Sequence, residues 1–127
     1  MKILGIGVDI IENKRIKKSI KNIRFKKRVY SSKELKQSTL SKDKIGYFSK
    51  RFAAKEAFAK ALGTGFRNNL NFKDIEIIND KKGKPVLNIN GESKKIIKRL
   101  IKKKFKTFVS LSDEKSHAIA SVIITTS

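Results

Sequence analysis

Apolar positions along this chain follow strand-like spacing in some stretches and helix-like spacing in others. The switches between the two predict the elements. Residues 3–11, ILGIGVDII, form a nearly continuous apolar run with two glycines and one acid, Asp9. A short run rich in Ile predicts a buried strand, with glycines where something approaches closely. From Asn13 the spacing changes. Ile16, Ile20 and Ile23 recur at helical intervals beneath a basic outer face, which predicts an amphipathic helix. Ser31 or Ser32 is a candidate N-cap, with Glu34 in the first turn that follows. The longest helical signal runs from Asp43 to Leu62 and closes at Gly63 as a C-cap.

Ile75 and Ile77 alternate with charged residues, predicting a half-exposed strand. DKKGKP reads as a turn, and VLNIN returns as a second strand. Pro85 stands at the start of that return, where a missing N–H is tolerated. GESKKIIKRLIKKKF predicts an amphipathic helix with Ile96, Ile97, Leu100 and Ile101 inward. TFVSLSDEKSHAIASVIIT predicts two strands around a DEKS turn. There is no internal repeat and no linker, and the one biased block is KKKFK. Antiparallel strands mixed with packed helices predict an α+β fold. Residues 1–127 are expected to form one domain around a long central helix.

That long helix raises a question of its own. Viewed down its axis, Phe48, Phe52, Ala59 and Leu62 form one apolar arc, and Ala54, Ala57, Phe58 and Ala61 form another. Arg51 with Lys55, and Glu56 with Lys60, make two narrow polar seams. Such a helix is sandwiched, and its alanines permit close approach by neighbouring backbone. The plain reading of Glu56 is an i,i+4 pair with Lys60, worth about 0.2–0.5 kcal/mol. Asp9 changes that reading. An acid inside an Ile/Gly/Val strand is costly unless it is paired or bound to a cation. Two carboxylates with waters and phosphate oxygens make a site of the kind that holds Mg²⁺. Glu12 is a third candidate, placed past the strand toward solvent. Gly63-Thr64-Gly65 is either a cap and loop or a turn that offers backbone N–H groups to a phosphate.

Composition narrows the classes. The chain has no Cys, which excludes disulfides and thiolate metal sites, and 39% hydrophobic residues, which excludes a disordered basic tail. No apolar run approaches the length of a membrane span. The first residues resemble a weak signal peptide, but Asp9 interrupts them and no small-residue cleavage site follows. A cytoplasmic protein without a membrane partner is expected. Net charge +21, from 32 Lys+Arg against 11 Asp+Glu, attracts polyanions. An RNA-binding domain would need clustered basic residues interleaved with exposed aromatics. Here the basic residues are scattered, there is no Trp, and most Phe fall at core-like positions. Nucleic acid is therefore not the expected partner. The lone His117 sits in a strand-like run, with no nucleophilic arrangement around it.

Two stretches carry a resemblance. GIGVDIIENKRI and RFAAKEAFAKALGTG resemble, in order, the two signatures of the holo-(acyl-carrier-protein) synthase family, the small bacterial-type 4′-phosphopantetheinyl transferases. FKDIEIINDKKGKPVL and VSLSDEKSHAIASVII resemble that family's hairpin and C-terminal strands. Residues 20–50 and 92–106 match loosely. The resemblance implies the small 4′-phosphopantetheinyl transferase fold and a homotrimer with active sites between subunits. It implies Mg²⁺-dependent transfer of 4′-phosphopantetheine from coenzyme A to a serine of an acyl carrier protein, for fatty acid synthesis. Adenosine 3′,5′-bisphosphate is the leaving product.

By the same resemblance Asp9 and Glu56 are metal ligands and, with Lys60, the catalytic residues. Arg51, Lys60, Gly63, Thr64, Gly65 and Pro85 belong to the coenzyme A site. Arg15 and Arg24 dock the carrier. The base for the carrier serine is Glu56 through a water, or Lys60. His117 departs from the pattern, since its position is usually aromatic in the family. Asp113 stands where some members have His. A different Mg²⁺-dependent phosphoryl transferase on the same scaffold is the alternative enzyme.

Overall fold

A computed structural model describes residues 1–66 and 69–127. The chain runs β1 (Lys2–Glu12), α1 (Asn13–Ser19), α2 (Ile23–Val29), α3 (Ser32–Ser38) and α4 (Lys44–Leu62). A 3₁₀ turn (Phe72–Asp74), β2 (Ile75–Asn79), β3 (Pro85–Ile89), α5 (Gly91–Ile101), β4 (Phe105–Asp113) and β5 (His117–Thr126) follow. An antiparallel sheet has the order β1-β5-β4, and β2 and β3 pair as a separate antiparallel hairpin. The helix–strand mixture is the expected α+β arrangement, with α4 at its centre.

Backbone contact sets how α4 lies on the sheet. A Cβ added to Gly5 would meet the carbonyl oxygen of Ala61, and one added to Gly7 would meet that of Ala57. Strand and helix therefore touch at a distance that excludes any side chain on either glycine. The order of these contacts runs α4 antiparallel to β1. Asp43 caps α4 by accepting from the Gly46 amide, and Gly63 ends it in the left-handed region at φ 88°. Both boundaries agree with the sequence pattern.

Other expectations are corrected by packing. The basic helix after Asn13 is two short helices. Asn22 accepts from the amides of Arg24 and Phe25 and starts a new helix, leaving Ile23 exposed. The first strand is not buried throughout. Gly7 and Ile11 face α4, while Ile6, Val8 and Ile10 are 64%, 52% and 63% exposed on the opposite face. The β2 strand is drier than its alternation suggests, because Ile75, Glu76 and Ile77 are all buried. Leu100 is exposed rather than inward, and α5 stops at Ile101 because Lys102 turns left-handed at φ 61°.

The polar Arg51–Lys55 seam of the sandwiched helix proves to be dry. Arg51 is buried, donates to the Ile77 carbonyl and to Asn79 Oδ1, and lies 3.9 Å above the Tyr47 ring. Lys55 is fully buried against Glu34, with Nζ 2.8 Å from Oε1. The same ammonium donates to the carbonyls of Phe72 and Ile75. Glu34 accepts from the Ile77 amide through Oε2 and closes a capping box on Ser31 through Oε1. One ion pair thus joins α3, α4, the 3₁₀ turn and β2. Burial pulls the Lys55 ammonium below its usual range, and the Glu34 carboxylate opposes that pull. Lys55→Met should leave Glu34 uncompensated in the interior and cost ~3–5 kcal/mol in chemical denaturation. Pairing it with Glu34→Gln should recover part of the loss. A single variant within about 1 kcal/mol of wild type would show that the pair carries little.

Candidate active site

Asp9 lies on the α4-facing side of β1, two residues beyond Gly7 in the direction that α4 descends. The glycine contact brings α4 close enough for Lys60 to reach across. Its ammonium sits 3.0 Å from Asp9 Oδ1 and donates to the Val8 carbonyl at 3.1 Å. The plain expectation of an i,i+4 pair between Glu56 and Lys60 is thereby corrected. Lys60 pairs across to the strand, and among the described residues no basic side chain stands at ion-pair distance from Glu56. Proximity on one helix lost to a partner carboxylate held beside a backbone acceptor.

Glu56 is half-buried one turn earlier on α4. Burial first, and the Asp9 charge second, push its carboxyl above the usual range, while Lys60 and Arg15 pull it down. Asp9, Glu56, Lys60 and Arg15 therefore share one electrostatic neighbourhood, although they come from β1, α4 and α1. The two acids supply hard oxygen donors from opposing elements. Among the described residues no group of three or more His, Cys, Asp or Glu side chains gathers as a metal set. A pair of carboxylates matches a cation that keeps waters and takes substrate oxygens. Glu12 ends β1 opposite His117 and is exposed, away from this pair.

The remaining predicted residues are placed less uniformly. Gly63, Thr64 and Gly65 follow α4 directly, with Gly65 also left-handed and its amide donating to the Ala59 carbonyl. The Gly63 amide donates to the Ala59 and Lys60 carbonyls as well, so two of the N–H groups expected for a phosphate are used within the chain. Within this chain Arg51 donates to the Ile77 carbonyl and Asn79 and lies over the Tyr47 ring, which ties α4 to β2. Pro85 opens β3 opposite Asn79, in the hairpin rather than the sheet that carries Asp9. Arg15 and Arg24 are exposed on α1 and in the first turn of α2. His117 is exposed at the start of β5 beside Ser116 and Glu114. Asp113 pairs with Lys50 at 3.2 Å. The Val8 carbonyl is the functional group that sequence reasoning missed, because a backbone acceptor has no signature in residue identity.

The 4′-phosphopantetheinyl transferase superfamily matches residues 5–122. The chain belongs to this superfamily. Holo-(acyl-carrier-protein) synthase of Pelagibacter ubique is 58% identical over 125 residues, covering 98% of each chain. The Neisseria meningitidis holo-(acyl-carrier-protein) synthase structure aligns with a TM-score of 0.85 at 36% identity, over 97% of this chain and 98% of that one. The Bacillus anthracis synthase, solved in complex with coenzyme A (3′,5′-ADP), aligns with a TM-score of 0.81 at 35% identity over the whole of both chains. As for the membrane expectation, no helix among the described residues is long and apolar enough to cross a bilayer.

The raised Glu56 carboxyl gives a signed prediction. An acid raised in the folded state penalises folding once it ionises. That penalty is absent below the ordinary carboxyl value of about 4.3 and fully present above the folded value. Glu56→Gln in a chelator should therefore melt higher than wild type at neutral pH, with the gap closing as pH falls toward about 4. A gap of the same size at both ends of this range would mean that Glu56 ionisation is not its source.

Proposed function

We propose that this chain transfers 4′-phosphopantetheine from coenzyme A to a serine hydroxyl of an acyl carrier protein, releasing adenosine 3′,5′-bisphosphate. The observation that carries the reading is the convergence of Asp9, Glu56 and Lys60 at the close crossing of β1 and α4. The relatives named above act as holo-(acyl-carrier-protein) synthases, and one of them is solved with coenzyme A. Two carboxylates of which one is half-buried and without an ion-pair partner among the described residues fit Mg²⁺. Bound there, Mg²⁺ would offset charge that develops on the diphosphate as the phosphorus–oxygen bond breaks.

The chain's own groups do the rest. Lys60 is 55% exposed at its side chain, so its ammonium can turn from Asp9 to a phosphate oxygen. The carrier serine oxygen attacks the β-phosphorus, the bond to the leaving adenosine-bisphosphate oxygen breaks, and the serine proton needs an acceptor. Glu56 is the better acceptor, acting through a water. Its carboxylate has no ion-pair partner among the described residues, whereas Lys60 already donates to two acceptors. Arg15, exposed on the helix that directly follows β1, is placed to dock an acidic carrier near the reacting phosphate, and Arg24, exposed in the first turn of α2, extends that basic surface.

The sheet's outer face supports a homotrimer. Ile6, Val8 and Ile10 on β1, Ile119, Ser121 and Ile123 on β5, and Phe108, Ser110 and Ser112 on β4 all point away from α4. These nine are uncharged in a chain whose net charge is +21, and the same face becomes charged only at Glu12 and Lys106 toward its ends. A second copy of the same chain is the occupant such a face suits, and active sites between subunits are what the family resemblance adds to that packing.

Release of adenosine 3′,5′-bisphosphate from coenzyme A and apo carrier tests the activity. Asp9→Ala should lower kcat by at least about 100-fold, the scale of removing a principal electrostatic group. Arg15→Glu should raise KM for the carrier, and its salt dependence should flatten, with little change for coenzyme A. Near-wild-type turnover by Asp9→Ala at low Mg²⁺ would remove Asp9 from the site. Light scattering at micromolar concentration should give three times the chain mass of 14.4 kDa. An active monomer would contradict the shared-site arrangement.

A further inference from the structure

Lys60 does something at Asp9 that holding a phosphate does not require. Its ammonium has two acceptors, Asp9 Oδ1 at 3.0 Å and the Val8 carbonyl at 3.1 Å. Both acceptors belong to adjacent residues of one strand, and β1 is pinned against α4 at Gly5 and Gly7. The ammonium is therefore located by backbone geometry as well as by charge. The Asp9 side chain is 17% exposed and that of Lys60 55%, so the ammonium lies over the carboxylate on its solvent side. Any divalent cation shared by Asp9 and Glu56 needs oxygens of this carboxylate. Like charges brought to one carboxylate repel. The Asp9–Lys60 tie and a metal bound at Asp9 are thus competing arrangements.

We infer that Lys60 is a displaceable internal cation that competes with the divalent metal for Asp9, so that metal binds tightly only when an anion draws the ammonium away. This rests on the reading of Asp9 and Glu56 as the metal pair. The anion is a diphosphate of the coenzyme A type, which offers oxygens to both the ammonium and the metal. Linkage makes the effect reciprocal, so the metal strengthens diphosphate binding by the same factor that diphosphate strengthens metal binding. The tie also keeps Asp9 compensated within an apolar strand, and the strand does not depend on metal to offset that acid. Lys60 thereby sets the order of assembly, with metal and diphosphate entering as a unit.

Mn²⁺ binding to the purified full-length protein, followed by electron paramagnetic resonance with and without coenzyme A, tests this apart from turnover. Lys60→Met should bind Mn²⁺ alone about fivefold more tightly than wild type, the scale of one part-exposed ion pair. Its enhancement by coenzyme A should shrink correspondingly. Arg15→Met removes a charge that also acts on Glu56 but makes no bond to Asp9, and it should tighten Mn²⁺ binding less. Lys60→Arg, which keeps the charge, should remain near wild type. Lys60→Gln serves in place of Lys60→Met if that variant loses its circular dichroism. Unchanged affinity in the neutral variants, or a gain no larger than that of Arg15→Met, overturns the competition. An Asp9→Asn protein that binds Mn²⁺ as wild type does would instead overturn the metal pair itself, and the inference with it.

Discussion

The arrangement depends on how closely the α4 backbone lies on β1. Gly5 and Gly7 present no side chain, and Ala57 and Ala61 answer them from the helix. Helix and strand consequently meet nearer than side chains would allow. That proximity brings a lysine on one element to a carboxylate and a carbonyl on the other. A methyl group on either glycine would wedge the elements apart, and the ammonium contact would fail first. The Lys60–Asp9 contact at the candidate site is therefore a consequence of two absent side chains.

On the opposite flank of α4, the Glu34–Lys55 pair fixes the helix against α3, the 3₁₀ turn and β2. An ion pair taken wholly out of water is rarely a strong source of net stability. Its geometry, however, is specific. All three ammonium protons and both carboxylate oxygens find partners, most of them backbone groups, and that set ties α4 to one position against its neighbours. Arg51 makes a similar tie to β2 one turn earlier. The polar seams of α4 thus serve different ends. One is dry and locates the helix, and the other is open and presents Glu56 and Lys60.

Charge follows the same division. The chain has a large net excess of Lys and Arg over acids, yet the middle of the sheet's outer face has none of it, and charge returns only at Glu12 and Lys106 toward its two ends. A basic exterior favours acidic carriers and phosphates as partners. No nucleic acid is required to account for the charge.

Much of the fold was legible in the residues alone, because local rules govern it. Asp43 and Gly63 bound α4, the Ser31 box starts α3, and turn residues set both hairpins. The acids of the site were legible too, since Asp9 is an anomaly in an apolar strand and Glu56 lies within a recognisable signature. Tertiary structure decided the pairings. Lys60 could bond to Glu56 on its own helix or to Asp9 on a strand some fifty residues earlier, and spacing cannot rank these, because the second depends on backbone distance and on the Val8 carbonyl. Lys55 and Arg51 read as a narrow polar seam without named partners, since nothing local shows that α3 and β2 close over them. The exposed face of β1 read as buried for the converse reason. An apolar run states that its side chains avoid water, and leaves unstated whether the same chain or another copy provides the shelter.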